Sequence, residues 1–312
     1  MPLKRFAVVA VGAMALAGGC FDAHRLRPCD PGQPCDCRAT AALPRGPGWV
    51  GENIAPYEGA AHVEILSRDV WLGIYDATAE CYRVCVEDGG CPALEEQAAF
   101  EITSGEPGGE TLTNRYYRDE RFAELPAVPL SYRAAGDYCA WLGGRLATNG
   151  EWERAARGVE GRGDPWSPVP EDPAEPPYTV LGEERCNYFH WPRRLGVEPT
   201  EGCEHGNYAL IPVGELPLGV GPYGHLDLLG LPSQWVADWY GPYPDCEVVD
   251  YAGPATGTQR IVRGQTVTGT DRTPLDPEDD LRHSIWPHVR LVTTRCAFDE
   301  APEPLLARGG AR

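Results

Sequence analysis

Lysine is all but missing from this 312-residue chain: Lys4 is the only one, so every cation beyond it, histidine aside, is an arginine. With 27 lysines and arginines against 46 aspartates and glutamates, the formal net charge is −19. A chain so acidic is repelled by phosphate backbones and anionic headgroups, which excludes nucleic acid as a partner. A solvated acidic surface that aids solubility is enough to explain the charge. Long apolar runs are missing too. No stretch beyond residue 19 approaches the roughly 20 residues that span a bilayer, so any membrane anchor must be a lipid. The G-x-S-x-G elbow, the Walker A loop and H-E-x-x-H are also absent, which removes three common catalytic signatures.

What is present begins with an address. Lys4 and Arg5 precede an apolar run from Phe6 to Ala17, the layout of a signal peptide over residues 1–19. The run closes on Leu16-Ala17-Gly18-Gly19-Cys20. This resembles a bacterial lipobox, although the leucine stands one place further from the cysteine than is usual. Cys20 is expected to carry a lipid and to open the mature chain, with an ordinary secretory signal cut nearby as the alternative. Losing Lys4 and Arg5 takes the charge from −19 to −21. Residues 20–44, rich in Cys, Pro and Gly, read as a tether.

Twelve cysteines in an exported chain argue for disulfides. Setting Cys20 aside leaves an odd number, so at least one is free, intermolecular or otherwise modified. Cys85 with Cys91, and Cys186 with Cys203, could close local loops. Cys29, Cys35 and Cys37 could pair among themselves or stand as reactive stalk thiols; a metal site there lacks a second group of ligands. Cys81 and Cys246 have no evident partner.

Strands are predicted near Trp49-Val50, over His62–Leu66 and over Val70–Tyr75. Thr78 caps a helix with Tyr82, Cys85 and Val86 on its buried face. The firmest signals lie in residues 129–158. Ser131 is an N-cap, Ala134, Ala135, Tyr138, Trp141 and Leu142 recur at helical spacing, and Gly143-Gly144 supplies the stop. Arg145-Leu146 is a short extended link. Thr148 and Glu151 then form a capping box for a second helix, which buries Trp152, Ala155 and Ala156 and ends at Gly158. Glu151 is therefore read as a cap partner rather than as half of an acid–base pair with Glu153.

Gly144-Arg145-Leu146-Ala147-Thr148-Asn149-Gly150-Glu151-Trp152-Glu153-Arg154-Ala155-Ala156-Arg157-Gly158 closely resembles the G-x-R-L-P-T-E-A-E-W-E-x-A-A-R-G pattern of the formylglycine-generating enzyme (sulfatase-modifying factor) family. Further landmarks follow in order. Residues 224–240 keep Asp227, Gly230, Trp235, Asp238 and Trp239 of the family's G-L-Y-D-M-S-G-N-V-W-E-W-V-x-D-W-Y. Arg263-Gly264 stands for the R-G of R-V-x-R-G-G-S-W, and Arg295-Cys296 for the end of G-F-R-C. The resemblance covers about residues 45–298, leaving 299–312 as a tail. It implies an α+β, disulfide-stabilised variant of the C-type-lectin fold with little regular structure. It also implies a disulfide between Cys139 and Cys296.

The departures bear on function. In the active oxidases a cysteine pair follows R-G-G-S-W and binds Cu(I), a preference of soft thiolates. Between Gly264 and Arg295 this sequence has no cysteine. The family's G-N-V-W-E-W loop supplies oxygens to a calcium ion, whereas Leu231 and Gln234 stand at the Asn and Glu positions here. No catalytic residue, metal or cofactor is expected. The expected role is a lipid-anchored, non-catalytic binding or scaffold module of the bacterial envelope, with an envelope protein, a small ligand or a glycan as partner. The alternatives are a formylglycine-generating oxidoreductase that matures exported sulfatases, and a lectin-like binder. Trp235, Trp239, Tyr240 and Tyr243 could floor a lectin-like groove, although core packing is the reading preferred for them.

Overall fold

The computed structural model describes residues 35–51, 61–96, 101–103, 111–172, 174, 210–230, 232–264, 273–275 and 291–307. The described residues open with strands β1 (Thr40–Leu43), β2 (Gly46–Val50), β3 (His62–Leu66) and β4 (Val70–Gly73), then helix α1 (Ala79–Glu87). A hairpin of β5 (Glu101–Thr103) and β6 (Thr111–Thr113) precedes α2 (Tyr132–Trp141), β7 (Arg145–Leu146) and α3 (Asn149–Arg157). The C-terminal half contributes β8 (Ser233–Trp239), β9 (Val248–Val249), β10 (Arg260–Arg263), β11 (Thr273–Leu275), β12 (Val292–Thr294) and β13 (Cys296–Phe298). The result is a mixed α+β fold with low helical content.

Each helix starts where a side-chain oxygen satisfies a free amide. Thr78 Oγ1 accepts from Cys81 N at 3.2 Å, and Ser131 Oγ accepts from Ala134 N at 3.2 Å. At α3 both halves of the capping box form: Glu151 N donates to Thr148 Oγ1 at 3.1 Å, and Thr148 N donates to Glu151 Oε2 at 2.8 Å. Gly143 turns the chain after α2 with φ +81°.

Three sheets surround these helices. One runs β1-β4-β13-β7 and so joins the first and last described strands, while a second runs β11-β10-β8-β12 with β12 parallel to β8. The third, β2-β3-β9, lies against α3. Its central strand inverts the usual hydropathy: His62, Glu64 and Leu66 face inward, while Val63 and Ile65 are only half-buried. The reason is α3 itself, all nine of whose residues are buried, including Glu151, Glu153, Arg154 and Arg157.

Several expectations need correction. The tether ends earlier than residue 44, because β1 pairs antiparallel with β4 and Cys37 is bonded to Cys81 on α1. Cys37 therefore does not pair within its own cluster. Cys35 is disulfide-bonded as well. The tail is likewise held in place through residue 307. Cys37 N donates to Leu305 O at 2.8 Å, Asp36 bridges Leu306, and Ala307 is buried with its N–H on Cys35 O at 2.7 Å. On α1 the buried face is Ala79, Cys81, Tyr82, Val84 and Cys85, with Val86 only half-buried. Cys85–Cys91 and Cys139–Cys296 are disulfides, and Cys246 is free and exposed among the described cysteines. Cys20, Cys29, Cys186, Cys203 and Leu231 lie outside the described residues.

Candidate functional site

The family-pattern residues meet in a buried polar hub where β8, β12–β13, β4 and α3 converge. Arg295 is fully enclosed, and its guanidinium is satisfied on every side. Its Nε donates to Gln234 Oε1 at 2.7 Å, and Nη1 donates to Gly73 O and Ile74 O at 3.0 and 3.1 Å. Its Nη2 reaches Leu226 O at 2.8 Å, Asp227 O at 3.1 Å and Asp76 Oδ1 at 3.3 Å. Trp152 Nε1 donates to the same Gln234 oxygen at 2.7 Å, while Gln234 Nε2 donates to Asp227 O at 2.6 Å. Burial pushes the Asp76 carboxyl well above its usual range despite Arg295, and it raises Asp227 to about 6.

A second buried group lies along α3. Glu153 pairs with Arg157 at 2.8 Å and with Arg263 at 3.1 Å, and the Arg263 guanidinium lies 4.7 Å from the Trp152 ring centre. Burial alone would raise Glu153, but Arg263 and Arg157 hold it down at about 2. Asp238 anchors the start of α3 by accepting from Asn149 N at 2.7 Å. Glu64 arrives from β3 only 1% exposed, and its Oε1 has no hydrogen-bond partner. Burial, then the nearby Asp238, Glu153 and Glu151, push its carboxyl up to about 8. The space it occupies belongs to a side chain missing from α3: a Cβ on Gly150 would lie 2.2 Å from Glu64 Oε2. Where the family pattern has Glu-Ala, this chain has Asn149-Gly150.

Gly230 and Gly264 join the two landmark loops, since Gly230 N donates to Gly264 O at 2.8 Å. Both have positive φ, +101° and +86°, and a Cβ on Gly264 would meet Leu228 O at 2.8 Å. Trp235 is buried, with Nε1 on Leu130 O at 2.7 Å. Trp239 is half-buried at the rim, with the Arg260 guanidinium 3.4 Å from its ring centre. Trp235 is thus a core residue, and the four aromatics do not make a common floor. Among the described residues no three His, Cys, Asp or Glu side chains are placed to hold a metal ion. Arg295, Gln234 and Trp152 satisfy one another, while Asp76 Oδ2 is buried without a hydrogen-bond partner. Glu64, Arg157, Arg154, whose Nη2 donates to Glu64 O at 3.1 Å, and the fully buried His225 were not singled out in the sequence. The readable signal is the i, i+4 charge pair Glu153–Arg157 on α3.

One open groove, of about 700 Å³, lies beside this hub. Leu66, Val70, Leu146 and Ala237 line its apolar part, α2 contributes Tyr132, Gly136 and Ala140, and Arg145, Thr148 and Glu151 stand at one end.

The family model for the sulfatase-modifying factor enzyme 1-like domain matches residues 29–285. A formylglycine-generating enzyme of Streptomyces coelicolor is 35% identical over 144 residues, 45% of this chain and 41% of that one. An inactive C-alpha-formylglycine-generating enzyme 2 of Mus musculus is 37% identical over 120 residues, 38% and 34% of the two chains. The matched stretches thus span less than half the length of these curated relatives. Among solved structures, PvdO from Pseudomonas aeruginosa superposes with a TM-score of 0.56 at 20% identity, covering 87% of this chain and 96% of its own. The Treponema denticola variable protein 1 superposes with a TM-score of 0.51 at 16% identity, covering 84% and 95%. These two likenesses establish the fold.

Proposed function

The chain belongs to the sulfatase-modifying factor family, and from that premise we propose that it is a non-catalytic member, a binding or scaffold module held at the bacterial envelope by a lipid on Cys20. The observation that carries this reading is the thiol inventory. No cysteine lies between Gly264 and Arg295, where the active oxidases keep their copper-binding pair. Cys37, Cys81, Cys85, Cys91, Cys139 and Cys296 are committed to disulfides, and Cys246 stands alone and exposed. Among the described cysteines no pair of free thiolates remains to take up Cu(I).

The calcium loop supports the same reading. Gln234 is neutral where the family has a carboxylate, and its one side-chain oxygen already accepts from Trp152 and Arg295. It offers a hard cation neither charge nor a spare oxygen facing outward. The relative named as inactive supplies a precedent for a family member without the oxidase activity.

The test is direct. The purified chain is incubated with Cu(I), oxygen and a cysteine peptide of the sulfatase type, and the peptide is examined by mass spectrometry for conversion of its thiol to an aldehyde. The expected result is unaltered peptide, and aldehyde formation would establish the oxidoreductase alternative instead. Globomycin treatment of the bacterial host should make the unprocessed, longer form accumulate if Cys20 is lipidated; an unchanged band would overturn the anchor.

A further inference from the structure

The groove beside α2 is a ligand site, and we propose that it takes a small amphipathic anion, an apolar body bearing one anionic group. The proposal rests on the binding-module reading and gives it a location. The groove is kept open by what α2 omits. Tyr132, Gly136 and Ala140 recur every fourth residue and therefore share one face. A Cβ on Gly136 would meet nothing within 4 Å. A side chain of ordinary size there would occupy the space. The opposite wall presents Leu66, Val70 and Leu146, all buried, so the interior is apolar and of the size that small-molecule sites have.

The sign of the ligand's charge follows from which rim groups are already engaged. Glu151 accepts from Thr148 N and from Arg145 Nη1 and Nη2, at 2.8, 2.8 and 2.6 Å. Asp250 accepts from Ser67 N at 2.8 Å and from Ser67 Oγ at 2.5 Å. Asp137 is the remaining carboxylate of the groove, and it faces Arg133 at 3.6 Å. Of the three cations, Arg145 is committed to Glu151 and Asp299, and the other two are less fully engaged. Arg133 is 90% exposed and held only by that long contact, while Arg68 is 56% exposed and meets Asp299 on one edge at 3.1 Å. Each guanidinium has five N–H donors, so both keep donors to spare. An incoming anion therefore finds two loosely held partners, Arg68 and Arg133, whereas an incoming cation finds one, Asp137, which is 40% exposed.

The net charge of −19 bears on the rest of the ligand. A bare anion is repelled at long range, so burial of an apolar body must supply most of the binding free energy. Inorganic phosphate or acetate alone should not bind.

Calorimetric titration of the chain with dodecanoate below its micelle concentration tests the assignment, with dodecylammonium as the charge-inverted probe. Saturable one-to-one binding of dodecanoate is expected, roughly tenfold or more tighter than dodecylammonium. Gly136→Leu should abolish it while leaving thermal unfolding unchanged or raised, because glycine is a poor helix residue. Arg133→Glu should narrow or reverse the preference for the anion. Ala140→Leu is the second blocking variant if Gly136→Leu misfolds. Absence of saturable binding, equal binding of the two amphiphiles, or undiminished binding in a folded blocking variant would overturn the proposal. Failure here leaves the thiol argument intact, whereas aldehyde formation in the peptide assay would unseat the non-catalytic reading without touching this titration.

Discussion

Gln234 holds three groups at once: the Trp152 indole, the Arg295 guanidinium and the Asp227 carbonyl. Gln234→Leu would leave an indole N–H and one edge of a buried cation without acceptors. We expect a loss of about 2–4 kcal/mol in urea unfolding; a loss within experimental error would mean that the hub relaxes around the gap. Glu64 gives a pH signature. Unfolded, it loses its proton near 4.5, and folded, near 8. Between those values the folded state holds the extra proton, so its contribution is full below 4.5 and is lost as pH rises through 8. Glu153 has the opposite sign: its folded value of about 2 gives stability that is present above 4.5 and lost as pH falls toward 2. Glu64→Gln should therefore gain on wild type by on the order of a few kcal/mol between pH 5 and 8. Parallel stability curves for the two proteins across that range would refute the buried-acid assignment.

At the scale of elements, α3 and β3 fit each other through a missing methyl. Gly150→Ala should cost about 1–3 kcal/mol, because the new Cβ falls on the Glu64 carboxylate. Glu64→Ala in the same chain should return most of that loss, and a double-mutant cycle showing no coupling would contradict the contact. Such a pairing could not be read from the sequence, since residues 64 and 150 come together only after β3 has packed on α3. The helices themselves were legible because their determinants are local. Ser131 reaches Ala134, and Thr148 reaches Glu151, each within three residues. The fold class and the Cys139–Cys296 bond came from resemblance rather than from periodicity. Cys37–Cys81 was hidden for the same reason as Glu64: 44 residues separate the partners, and the short run Thr40–Leu43 gives no strand signal strong enough to show that the fold has begun. The groove was not legible at all, because its walls come from β3–β4, α2, β7 and the segment near Asp250.

For the whole molecule, the cysteine map predicts a chemical outcome. Among the described cysteines, Cys246 should be the one alkylated by iodoacetamide in the folded, unreduced protein, as peptide mass mapping would reveal. Labelling at Cys139 or Cys296 without prior reduction would contradict the long-range bond between them. Opening that bond frees the loop between residues 139 and 296, so Cys139→Ser with Cys296→Ser should cost about 4–5 kcal/mol on the chain-entropy argument.

Residues 35–37 and 305–307 lie side by side, joined by Cys37 N on Leu305 O and Ala307 N on Cys35 O. A stalk and a C-terminal fusion would therefore leave the domain from one pole. Pulled apart, the two edges would unzip hydrogen bonds singly and at low force until tension came onto the disulfides of Cys35 and Cys37, and the Cys37 bond to Cys81 would arrest the tear on α1. Single-molecule extension should show a short, compliant opening followed by a stiff stop, and the stop should vanish in reductant. That covalent arrest would let the N-terminal edge of the domain yield under load without opening the core behind it.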